Sequence, residues 1–200
     1  MDAGKTGAYL AALRKARGMT QQEAADQRLI LEYIRLFPDN ILTRDNEIAH
    51  LSSSGFVVNA DGTRVLMAHH NIYRVWAWTG GHADGEGDLL SVALREAREE
   101  TGGEHIRPLS PAIASLDILP VWGHVKRGKW VPSHQHLNVS YLLVADERDA
   151  LQIREGVQRL EVVEHLCPRP QDRGQLLLPD PQLTPGEVPF SCPKAAHDQD

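Results

Sequence analysis

The chain has 200 residues, a formal net charge of −6, 42% hydrophobic and 24% charged residues. That length suits one globular domain with extensions, and the composition is that of an ordinary globular chain. The acidic balance argues against a general binder of nucleic acid or of an anionic membrane. It leaves room for a small phosphorylated substrate, because a bound cation can supply local positive charge. There is no apolar run of about 18 residues, the length a membrane helix needs, and the N-terminus lacks the apolar core of a secretory signal. The two cysteines, Cys167 and Cys192, make no disulfide framework and fit a reducing cytoplasm.

Residues 6–37 are helix-rich. Tyr9, Leu10, Leu13 and then Leu29, Ile30, Tyr33, Ile34 and Phe37 recur at helical spacing, and Pro38 stops the run. Thr20 and Glu23 form a capping-box pattern after Gly18-Met19. Residues 39–54 read as polar and turn-rich. A strand is expected from Gly55 to Asn59, a turn at Asp61-Gly62 and a returning strand from Arg64 to His69. Tyr73 to Thr79 is a third strand candidate, with Trp76 and Trp78 on one face.

The next stretch, Gly80 to Gly103, reads GGHADGEGDLLSVALREAREETGG. Asp88 to Thr101 is expected to be a helix, with a buried stripe of Leu90, Ala93, Leu94, Ala97 and Thr101. Asp88 suits the N-cap and Gly102 the left-handed stop. Glu96, Glu99 and Glu100 then fall within about a third of the helix circumference. Carboxylates at that spacing repel one another by a few tenths of a kcal/mol per pair. Charged oxygens on a rigid support are what a hard divalent cation requires.

Beyond it, Ile113 to Leu119 and His136 to Ala145 read as strands, and Leu160 to Val163 as a weak last one. Between the first two, VWGHVKRGKWVPSH is a basic, aromatic loop or hairpin. From Cys167 the chain changes character: seven of its twelve prolines fall in residues 167–200, which read as an irregular tail.

Gly81 followed at the required distance by Arg95-Glu96-Ala97-Arg98-Glu99-Glu100-Thr101-Gly102 resembles the Nudix box, G-x5-E-x7-R-E-U-x-E-E-x-G-U, with U a bulky aliphatic residue. The segment GGHADG, with His134 and His136 as a downstream H-x-H, resembles a recurring subgroup of that family. The chain departs from the box where its first glutamate is Gly87, flanked by Glu86 and Asp88. Ala97 and Gly103 are small where aliphatic residues are usual, and the tail shows no amphipathic closing helix.

The resemblance implies a Nudix-like α/β/α sandwich with a mixed sheet. Residues 1–49 would form a helical extension, 50–166 the Nudix hydrolase domain and 167–200 the tail. It implies a pyrophosphohydrolase using Mg²⁺ or Mn²⁺ to cleave the diphosphate of a nucleoside diphosphate linked to another moiety. Glu96, Glu99 and Glu100 would be the catalytic and metal-binding carboxylates, with the carbonyl of Gly80 as a further ligand. Gly81, Arg95 and Gly102 would brace the box, Arg95 pointing away from the carboxylates toward Glu86 or Asp88. The general base stays open among Glu96, Glu99, Glu104, Asp117, Glu147 and Glu155. His82, Trp78, Arg74, His134 and His136 are candidates for binding substrate, and the histidines also for adding to a metal site. Trp76, Trp122 and Trp130 could stack a base or merely pack. Lys126, Arg127 and Lys129 could meet phosphate or merely solvate their loop.

The alternative is a degenerate domain that binds nucleotide or metal without turnover. An isopentenyl-diphosphate isomerase, which shares the box, needs a cysteine near the strand before it, and none precedes Cys167. A DNA-binding regulator rests only on residues 10–25, which resemble the first two helices of a repressor-type helix-turn-helix but lack a recognition helix. The sequence does not decide between a monomer and a homodimer.

Overall fold

The structure, a computed structural model, describes residues 21–70, 76–126, 128–152 and 157–164. Thr20, most of the helix-turn-helix resemblance, Arg74, Arg127, Glu155 and the proline-rich tail lie outside the described residues.

Helix α1 (Gln21–Leu36) buries Gln27, Ile30 and Ile34, an i, i+3, i+7 face. Leu29, expected inside, is 45% exposed, because the buried face is narrower than its apolar residues allow. The helix runs out at Phe37, whose N–H still bonds Tyr33 O before Pro38.

Strand β1 (Ala49–Val58) begins inside the stretch expected to be turns, and all ten of its residues are buried. Its serines read as turn formers in the sequence. In the fold their hydroxyls are satisfied across strands: Ser52 and Ser54 both donate to Asn138 Oδ1, at 3.1 and 2.9 Å. Ser53 Oγ lies 2.6 Å from Leu89 O and 3.1 Å from Val139 O. Buried polar groups so paired no longer oppose a strand.

The remaining strands are β2 (Arg64–His70), β3 (Trp76–Ala77), β4 (Thr79–His82), β5 (Arg107–Val121), β6 (His124–Lys126), β7 (Lys129–Val131), β8 (His134–Val144) and β9 (Val157–Glu164). A second helix, α2 (Leu89–Thr101), lies between β4 and β5. One sheet runs β3-β2-β1-β8-β5, with β4 also paired to β1 and β9 to β2. Strand β5 is longer than expected and contains Pro108, Pro111 and Pro120. At the end of that order it tolerates residues without a donor. The basic aromatic segment is a hairpin, β6 on β7, turning at Gly128 with φ +78°.

By contacts the chain forms two compact units. One comprises the described residues of 21–54, 80–93 and 111–141, and the other those of 55–79, 94–110 and 142–164. In the second unit, β2 pairs antiparallel with β1 at Val58↔Val65, with β3 at Ala68↔Ala77 and with β9 from Arg64↔Glu164 to His70↔Val157. Phe56, Val58, Val65 and Met67 form its apolar cluster, with Trp76, Trp78 and Leu142 packed on it. Among the described residues no helix is long and apolar enough to cross a membrane.

Candidate active site

Helix α2 is the support for the carboxylates, and its ends are closed as the sequence suggests. Asp88 Oδ1 accepts from the N–H groups of Leu90 and Ser91 at 3.2 and 3.3 Å, an N-cap. At the other end Gly102 takes φ +70°, and its N–H bonds Arg98 O at 2.8 Å. Thr101 O accepts from Gln152 N–H at 2.7 Å, and Arg98 donates to Ile106 O at 2.7 Å. The stripe is only partly as expected. Ala93, Ala97 and Thr101 are fully buried, but Leu89 and Val92 join them, and Leu90 and Leu94 are half-buried.

Glu96, Glu99 and Glu100 stand on this helix, Glu96 and Glu100 one turn apart. Glu96 keeps only 18% of its side chain exposed, Glu99 keeps 63%, and Glu100 is half-buried. Arg95 corrects the expectation. It does not point away from the carboxylates: its Nη2 donates to Glu96 Oε1 at 2.8 Å, and its Nε lies 3.9 Å from Glu99 Oε1. Glu99, four residues on, is its neighbour on the helix surface, and the length of the arginine side chain lets it also reach Glu96, the next residue.

The loop before the helix is tied by other residues. Asp84 and Gly85 take positive φ, +48° and +90°. Arg44 grips Asp84 with two hydrogen bonds, Nε to Oδ1 at 2.8 Å and Nη2 to Oδ2 at 2.5 Å. Gly85 N–H bonds Leu42 O, Ala83 N–H bonds Leu51 O, and Glu86 Oε1 accepts from Asp88 N–H at 2.8 Å. Arg44 carries no signal in the sequence, because it lies 40 residues from its partner. Gly80 and Gly81 belong to β4 rather than to the loop. Gly80 is packed so closely on β1 that a Cβ would lie 2.5 Å from Ser54 Oγ and 2.9 Å from Ser53 O.

His82, His134 and His136 do come together, around a fourth histidine, His50, that the sequence reading missed. Ring centroids of His50 lie 5.1 Å from His82, 4.8 Å from His134 and 5.1 Å from His136. His82 and His136 are 4.8 Å apart. Burial pushes the His82 imidazole down to about 3 and that of His136 to about 2, helped by neighbouring histidines and Arg44. His50 is lowered too, again chiefly by burial.

Trp78 packs on Phe56, ring centroids 5.8 Å apart, whereas Trp122 and Trp130 are exposed. Among the residues considered for the base, Glu147 is engaged by Arg64 at 2.9 Å and by Asn59 at 3.3 Å. Asp117 accepts from Ser115 Oγ, and burial raises its carboxyl above the usual range.

The NUDIX domain family profile matches residues 49–171, more than half of the chain. The chain belongs to the Nudix family. Its fold is Nudix-like, a mixed α/β sheet with helices and a helix preceding the domain. Solved structures similar to it include a C. elegans Ap4A hydrolase binary complex, 18% identical, covering 57% of this chain and 79% of that one with a TM-score of 0.42. A NUDIX-family hydrolase from Clostridium perfringens is 20% identical over 57% of this chain and 81% of its own, TM-score 0.42. An ADP-ribose pyrophosphatase from Streptococcus suis is 13% identical over 56% and 71%, TM-score 0.40. A search of curated protein sequences finds no match.

Proposed function

We propose that the protein is a metal-dependent pyrophosphohydrolase that cleaves the diphosphate of a nucleoside diphosphate linked to another moiety. The observation that carries this is the gathering of Glu96, Glu99 and Glu100 on a helix capped at both ends, within a chain of the Nudix family. The donor set is all carboxylate oxygen and fits Mg²⁺ or Mn²⁺. When bound, such an ion neutralises phosphate oxygens and favours in-line attack by water.

In this reading Glu96 and Glu100 hold the cation and Glu99 completes the set or orients the water. Arg95 balances the negative charge that three carboxylates place on one face. The double cap holds the carboxylates in register, so little ordering remains to be done on binding. The substrate is a small phosphorylated compound, neither nucleic acid nor membrane. The sparse cysteines suit a reducing cytoplasm.

The test is release of phosphorylated products from ADP-ribose, dinucleoside polyphosphates, nucleotide sugars and nucleoside triphosphates with Mg²⁺ or Mn²⁺. Glu100→Gln is run beside the wild type. Turnover should fall about 100-fold or more in the variant, because metal ligation supplies several kcal/mol of transition-state stabilisation. Unchanged turnover would remove the box from the active site. Mg²⁺ uptake by calorimetry with no turnover of any substrate would favour the binding-only alternative suggested by Gly87.

A further inference from the structure

We propose that His50, His82 and His136 form a second metal site, for one divalent transition cation of the Zn²⁺ class, with His134 as a positioning residue behind His136. Each of the three ligands offers a ring nitrogen, and these atoms lie within 4.8 Å of one another. A tetrahedral ion with metal–nitrogen bonds of about 2.0 Å holds its ligands about 3.3 Å apart, a difference that small side-chain rotations close. The histidines come from β1, β4 and β8, and β1 pairs with both of the others.

The central observation is His50. Only 4% of it is exposed, and its Nε2 is buried with no hydrogen-bond partner among the described residues. Its Nδ1 lies 3.0 Å from Asn46 O, a carbonyl, so Nδ1 carries the proton and Nε2 carries the lone pair. A lone pair buried without a partner costs free energy, and a bound cation removes that cost. The support behind His50 is rigid. Asn46 Oδ1 accepts from Ile48 and Ala49 N–H, and its Nδ2 donates to Asn40 Oδ1.

His136 is prepared in the same way. His134 Nδ1 lies 2.9 Å from Pro132 O and therefore bears the proton, leaving His134 Nε2 bare. His136 Nε2 lies 3.3 Å from it and donates there, which leaves the lone pair on His136 Nδ1. A ligating histidine that passes its other N–H to an acceptor is the usual arrangement around zinc. Spacing of two along β8 sets both rings on one side of the strand.

The chemistry selects the ion. Nitrogen donors suit Zn²⁺ and its transition-metal neighbours, whereas Mg²⁺ takes oxygen. The site is distinct in donor type from the glutamates of α2, and its failure would leave the hydrolase reading standing.

The experiment uses the untagged full chain, stripped with a chelator and titrated with Co²⁺ as a spectroscopic substitute for Zn²⁺. One equivalent of Co²⁺ should bind with visible d–d absorption, be displaced by Zn²⁺ and persist in excess Mg²⁺. The spectrum should be unchanged in Glu99→Gln and Glu100→Gln. His50→Gln and His136→Gln should weaken uptake more than 100-fold, and His134→Gln about 10–100-fold, the range for a group that orients a ligand. X-ray absorption of the Zn²⁺-loaded wild type, which needs no variant, should show an imidazole-nitrogen shell. Failure of the wild type to take up Co²⁺, a Co²⁺ spectrum indifferent to His50→Gln, or an oxygen-only shell would overturn the proposal.

Discussion

Arg95 Nη2 lies 2.8 Å from Glu96 Oε1, between residues adjacent in the chain, and the same guanidinium approaches Glu99 at 3.9 Å. An arginine among three carboxylates does part of what a cation would do. Arg95→Met should therefore cost stability mainly when the cation is absent. The pair is partly exposed, so the loss is about 0.5–1 kcal/mol, or about 1–4 °C in Tm. Melting curves in chelator and in saturating Mg²⁺ check this, with the gap to wild type closing in Mg²⁺. An equal loss in both conditions would mean that the arginine only packs.

Gly80 has no room for a side chain. Gly80→Ala should destabilise by about 1–3 kcal/mol, since its Cβ would meet Ser54 Oγ and the Ser53 backbone. Ser54→Ala in the same chain should restore part of the loss, because it removes the nearer of these contacts and not the backbone one. Denaturant titration of the single and double variants measures the coupling; additive losses would show that strand β4 moves instead.

Gly102 ends α2 at φ +70°, with Gln152 Cβ 3.0 Å from where its own Cβ would stand. Gly102→Ala should cost about 1–2 kcal/mol from the left-handed backbone alone. Urea unfolding with an unchanged m-value is the expected signature. A loss below about 0.5 kcal/mol would mean that the helix end refits without the left-handed residue.

Asp117 is held above the usual carboxylate range, first by burial and then by Asp26 and Glu23 against the Ser115 hydrogen bond. A carboxyl raised in the folded state opposes folding once it ionises. That penalty is absent below the unfolded pKa near 3.8 and grows as pH rises through the higher folded value. Asp117→Asn keeps an acceptor for Ser115 and should raise the melting temperature at pH 7, with the gain fading toward pH 4. A gain independent of pH would place the effect in packing.

Much of α2 was legible because its signals are local. The Asp88 cap, the Gly102 stop and the carboxylate register depend on residues within a turn of one another, and the structure agrees on each. The finer stripe was not: the alternation of leucine and alanine did not reveal that Leu89 and Val92, rather than Leu90 and Leu94, go fully inside. Arg95 was misplaced because the family pattern does not say where a flexible side chain folds in this chain.

By itself the sequence determined the family, the helix that bears Glu96, Glu99 and Glu100, and the hairpin of β1 and β2. These rest on spacing along the chain. The tertiary structure alone decided that Ala49–Val58 is a buried strand and that His50 stands at the centre of a histidine cluster. A Ser-rich segment is a poor strand until Asn138, 84 to 86 residues away, accepts from its hydroxyls. Hydrogen bonds between residues so far apart decide burial, and they exist only once the sheet has formed.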